Sequence, residues 1–166
     1  MSTPKETTLK QLIKKAKFDR VNPDITDKNF PDNTKNFEKT ELIHFGKMMS
    51  SEEVLKKLGE KNLRPATIKE LVNFAIHNPE EQRKCPIVGL GSVWCLDGFQ
   101  LAACLNERAG DRYLSLGWLG RVWVEYYRFL AVGKYSGHLD TRKDKLPEIL
   151  KDLKELWNVK NATEKI

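Results

Sequence analysis

Cys85, Cys95 and Cys104 are the only thiols in the 166-residue chain, and their spacings of ten and nine match no zinc-binding signature. As nucleophiles they have no base close by in sequence. A hairpin turning at Asp97-Gly98 would let Cys95 and Cys104 face each other. His44, His77 and His138 are scattered, and none stands at metal spacing from another histidine or a cysteine. Ser92 lies in "GLGSVW", which has the glycines of a phosphate loop but neither the helix start nor the lysine that should follow. Those glycines mark a strand that another backbone approaches closely. The residue types imply no catalytic group, no metal and no cofactor.

The richest stretch is "RYLSLGWLGRVWVEYYRFLAV", residues 112–132. Arginines and aromatics alternate there, which suits three jobs. They can be the centre of a core, a protein-binding face, or a stacking platform for single-stranded nucleic acid. Glu107, Asp111 and Glu125 dilute the positive field. Calcium-dependent sugar binding needs clustered oxygens, and these strands offer only Asn106, Glu107, Asp111 and Glu125.

Those residues need elements to hold them. Leu9, Leu12, Ile13 and Ala16 recur at helical spacing, predicting a basic helix over about 8–17. An Asn-, Asp- and Pro-rich extended segment follows and ends in a strand at Glu41–Phe45. Ser50 or Ser51 caps a helix over 50–61 with Val54, Leu55 and Leu58 as its stripe. Thr67 and Glu70 form a capping box for a helix over 67–78, which Pro79 ends. From Cys85 the period becomes that of strands, near 87–95, 99–105, 112–118 and 121–132, with turns at Asp97-Gly98, Ala109-Gly110 and Leu119-Gly120. The last run is either one long strand or two strands joined by an irregular turn. Val122, Val124, Leu130, Val132 and Trp94 read as core. Leu146, Ile149, Leu150, Leu153, Leu156 and Trp157 stripe a C-terminal amphipathic helix at about 145–157. It either folds back onto the helix at 8–17 or joins a second chain as an oligomer contact.

The composition, 40% hydrophobic and 31% charged, is that of a globular α+β protein rather than a disordered chain. The net charge of +6 is spread along the chain, mostly as lysines in residues 1–61, and such a spread is usually a solvated surface. Without a signal peptide or an apolar run near 18 residues, the expectation is no membrane insertion and a cytoplasmic location, or export without a recognisable signal.

"LRPATIKELVNFA", then "GSVW", short aromatic strands and a closing "RFLAV" resemble the C-type-lectin-like fold of the formylglycine-generating-enzyme kind over roughly residues 63–133. Within that group the chain is similar to variable proteins diversified by retroelements. The resemblance implies a lectin-like core (50–134). The sequence adds an N-terminal helix and extended segment (1–49) that pack on it and a helical tail (138–166), which departs from that group's usual ending soon after the closing strand. The resemblance makes Arg64, Thr67, Trp94 and residues 128–132 scaffold. It draws the ligand face from Asn106, Arg108, Asp111, Arg112, Tyr113, Ser115, Trp118, Arg121, Trp123, Glu125, Tyr126 and Tyr127. The implied function is non-enzymatic binding of a protein ligand, with single-stranded nucleic acid as the alternative. No cysteine follows Cys104, so the copper-dependent activity of the oxygenase branch is not implied.

Overall fold

The computed structural model describes residues 5–134. The tail assigned to 138–166, with its helix at about 145–157, lies outside the described residues.

Three helices form where the capping residues stand. They are α1 (Leu9–Ala16), α2 (Ser51–Glu60) and α3 (Ile68–His77), each with a complete capping box, from Thr8/Gln11, Ser50/Glu53 and Thr67/Glu70. A single helical turn, α4 (Glu81–Lys84), follows α3. The strands are β1 (Arg20–Val21), β2 (Thr40–His44), β3 (Met49–Ser50), β4 (Leu63–Pro65), β5 (Ile87–Leu96), β6 (Phe99–Arg108), β7 (Asp111–Trp118), β8 (Val122–Trp123) and β9 (Arg128–Gly133). Residues 122–133 are thus two strands joined by an irregular connection, the second of the two forms left open by the sequence.

Seven strands make one sheet in the order β1-β7-β6-β5-β9-β2, with β4 also on β9, and β3 pairs β8 in a separate ribbon. The sheet is mixed and mainly antiparallel, with two parallel pairings, β1 with β7 and β5 with β9. After β7 the chain crosses to the other side through β8, then returns to insert β9 between β5 and β2.

Each face of the sheet buries its own cluster. On one face α1 and α3 bring Leu9, Leu12, Ala16, Leu71, Val72 and Ala75 against Ile87, Ala103, Leu105, Leu114, Leu130 and Val132. On the other, α2 brings Val54, Leu55 and Leu58 against Val88, Ala102, Cys104, Phe129 and Ala131, with Trp123 among them. The stripe of α1 is therefore engaged with α3 and the sheet.

The start of α3 is held by several chain segments at once. Ser92 Oγ accepts from the Ile68 N–H at 2.9 Å, and Asp32 Oδ2 from the Lys69 N–H at 3.0 Å. Glu70, 1% exposed, takes a bidentate pair from Arg64 at 2.8 and 3.0 Å. Ser92 is thus a helix cap, and its glycine neighbour explains the loop-like sequence. The Gly91 N–H donates to the Ala66 carbonyl at 2.8 Å, and a Cβ on Gly91 would lie 2.5 Å from that oxygen. Only a residue without a side chain fits this approach.

Candidate functional site

Two tight hairpins frame the region singled out by the sequence. Asp97 and Gly98 (φ 48° and 82°) turn β5 into β6, and Ala109 and Gly110 (φ 52° and 88°) turn β6 into β7. The first turn does not bring Cys95 and Cys104 together. Cys95 lies opposite Gln100 and is exposed, while Cys104 lies opposite Val88 and is buried. Burial pushes the Cys104 thiol up to about 12 and raises Cys85 as well.

The predicted ligand residues do not form one face. β7 runs from Asp111 to Trp118, seven residue steps or roughly 23 Å of strand, and the residues at its two ends do different things. At the β6–β7 turn, Asn106 Nδ2 donates to Ser115 Oγ at 3.1 Å, and that hydroxyl donates to the Cys104 carbonyl at 3.3 Å. Asp111 meets Arg20 at 3.6 Å, and the Arg20 guanidinium lies over the Tyr113 ring. Arg108 is exposed at the tip.

Arg112 is a correction. It was expected in the ligand face but is only 6% exposed. Its Nη1 donates to the Ala16 carbonyl at 2.9 Å and to that of Lys17 at 3.5 Å, and its Nη2 to the Ala75 carbonyl at 3.4 Å. These are carbonyls near the C-terminal ends of α1 and α3, which a helix cannot satisfy internally. One guanidinium therefore ties both helices to the sheet, and burial lowers its pKa.

Trp123 is the second correction. It is 1% exposed, packed between Tyr127 (ring centroids 5.2 Å apart) and Phe129 (6.1 Å). Its indole N–H donates to Ser51 Oγ at 2.8 Å, and Ser51 in turn donates to the Leu119 carbonyl at 2.8 Å. Val122, read as core, is 50% exposed, and Val124 is half-buried. The Leu119–Arg121 connection resets the alternation, so the tryptophan points inward and the valine outward. Trp94, also read as core, is only half-buried, against Phe30 at 6.1 Å. Leu130 and Val132 are buried as expected.

What remains presented falls into two groups. On the α2 side, Arg121 lies over the Trp123 ring at 5.3 Å and the Tyr127 ring at 5.4 Å, and Tyr126 stacks on Tyr127. Tyr127 is half-buried, which raises its pKa. Tyr126 and Glu125 are exposed, and the Glu125 carbonyl meets His44 Nε2. On the α1/α3 side, Trp94, Leu101 and Trp118 stand directly opposite one another on β5, β6 and β7, with Leu96 opposite Phe99 on the next rung of the same face. Phe99 and Trp118 are 47% and 39% exposed and meet edge to face, with centroids 5.8 Å apart. The Trp118 ring lies across Gly120, where a Cβ would come within 2.4 Å of it. Among the described residues, this row continues the apolar face of the sheet past α1 and α3.

Leu96 and Phe99 were not singled out from the sequence. Their signal was there: Phe99, Leu101, Ala103 and Leu105 share one face of β6, so a core face running to the turn leaves its last members exposed.

Among the described residues, no three His, Cys, Asp or Glu side chains stand together in a way that could hold a metal ion, and no helix is long and apolar enough to cross a membrane. No protein-family model, curated protein or solved structure matches the chain.

Proposed function

We propose that the chain is a non-enzymatic binding protein of the C-type-lectin-like kind that engages a protein ligand through the Leu96, Phe99 and Trp118 row. The observation that carries this reading is the edge-to-face pair of Phe99 and Trp118 on β6 and β7, 47% and 39% exposed. Large aromatics give contact area at little cost in ordering, and strand positions hold them in place. Arg121, Glu125, Tyr126 and Tyr127 are a second set of contact residues, reached through the Leu119–Arg121 connection. Arg112 and Trp123 leave the set.

The reading predicts that small protein binders selected by display on the full chain lose at least tenfold affinity, about 1.4 kcal/mol or more, for an F99A/W118A variant that still unfolds cooperatively above the assay temperature. Binders indifferent to that double substitution would sink it. The retroelement part of the proposal has its own test. The gene should lie beside a reverse transcriptase gene and a near-copy of the codons for 106–127 that differs at adenines. Such a copy should spare Arg112 and Trp123, whose side chains hold the scaffold.

A further inference from the structure

Lys5, Lys10, Lys14, Lys15 and Lys17 fall within thirteen residues on and around α1, and all five are exposed. The acids nearest them, Glu6, Asp19 and Asp27, are exposed too, but each is engaged with another group. Glu6 pairs with Lys69 at 3.6 Å, Asp19 accepts the Arg112 N–H at 2.7 Å, and Asp27 caps α1 by accepting from the Leu9 and Lys10 N–H groups at 2.8 and 3.2 Å. Elsewhere some cations pair locally, as in Arg20–Asp111, Lys57–Glu60, Arg83–Glu80 and Lys84–Glu81, and others such as Lys28, Lys35 and Lys39 are exposed without lining this groove. Among the described residues, none of the five α1 lysines forms an ion pair. Lys5, Lys14, Lys15 and Lys17 line an open groove of about 540 Å³ together with Thr7 and Gln11.

We infer that this groove is a binding site for the phosphate backbone of double-stranded nucleic acid, independent of the aromatic row. A concave surface carrying only one sign of charge concentrates anions. Its chemistry narrows the choice of anion. The apolar stripe of α1 (Leu9, Leu12, Ala16) is buried in the core, so the helix has no apolar face to sink into a lipid surface. The groove has no aromatic side chain, so it lacks both the anchor of a protein interface and the platform on which unpaired bases stack. Lysines are point charges that meet phosphates without reading base edges, so binding is independent of sequence.

Fluorescence anisotropy with a labelled 20-base-pair duplex tests this on the full chain. Four lysine–phosphate contacts give a slope of log affinity against log salt near −3.6, roughly a 150-fold loss between 50 and 200 mM salt. K5Q/K14Q/K15Q, which keeps good helix formers on α1, should bring the slope close to −1 while melting like the parent. The single variant K15Q should bring it about one unit nearer zero. K28Q/K35Q/K39Q removes the same net charge elsewhere and should leave the slope unchanged. The inference is overturned if the parent does not bind the duplex at 50 mM salt, or if the two triple variants weaken binding equally. It also fails if phosphatidylserine vesicles bind the chain and the duplex does not.

Discussion

At one end of the β6–β7 pair, Arg112 and Tyr113 are drawn into the structure. At the other, Trp118 and Phe99 are left on its surface. The residue types are those that fill binding faces at either end, so type alone does not separate the two. What separates them is the surroundings. Beside Arg112 lie carbonyls of two helix ends that need donors. Trp118 meets Phe99 edge to face, and its ring lies across Gly120 in the following turn. An arginine on a strand is structural where neighbouring backbone needs its donors, as at Arg112.

The sharpest way to break this comparison is to truncate the inward tryptophan. W123A removes a fully buried indole and its hydrogen bond to Ser51 Oγ, so about 4 kcal/mol of stability should disappear, read by urea denaturation. Trp118 is 39% exposed and its ring rests on Phe99 and Gly120, so W118A should cost less, about 1.5 kcal/mol. Equal losses would mean that Trp118 belongs to the core. The arginines give the next contrast. R112A leaves buried helix carbonyls without donors and should cost about 3 kcal/mol, whereas R108A at the exposed turn should stay within about 0.5 kcal/mol. The smallest effect leaves stability untouched and reads accessibility alone. With iodoacetamide at pH 8 and mass spectrometry, Cys95 should alkylate first, Cys85 more slowly, and Cys104 only on unfolding. Labelling of Cys104 in the native protein would show that the α2 side of the sheet opens.

Local signals were legible and long-range ones were not. The three long helices announce themselves in Thr8, Ser50 and Thr67 with their partners three residues on, because a cap and a 3.6-residue stripe lie within one short window. Asp97-Gly98 and Ala109-Gly110 mark their turns for the same reason. The inward direction of Trp123 was hidden, since a single irregular turn shifts a two-residue period by one place and swaps both faces. Arg112 was hidden more deeply. Its partners Ala16 and Ala75 are 96 and 37 residues away, and nothing beside it in sequence says that helix ends will stand there.

The position of β9 has a consequence for the order in which the protein can be made. It is the last strand of the described chain, yet it lies inside the sheet, bonded to β5, β2 and β4, whose residues begin 41 to 88 positions earlier. During synthesis the earlier strands leave the ribosome with no central partner, so β5 and β2 have edges that nothing yet fills. Each pairing must then close a long loop, which slows folding and lengthens the time those edges stay open. A nascent chain halted before Arg128 is therefore the form most prone to pair with another copy of itself, and release of β9 is the step that ends that exposure.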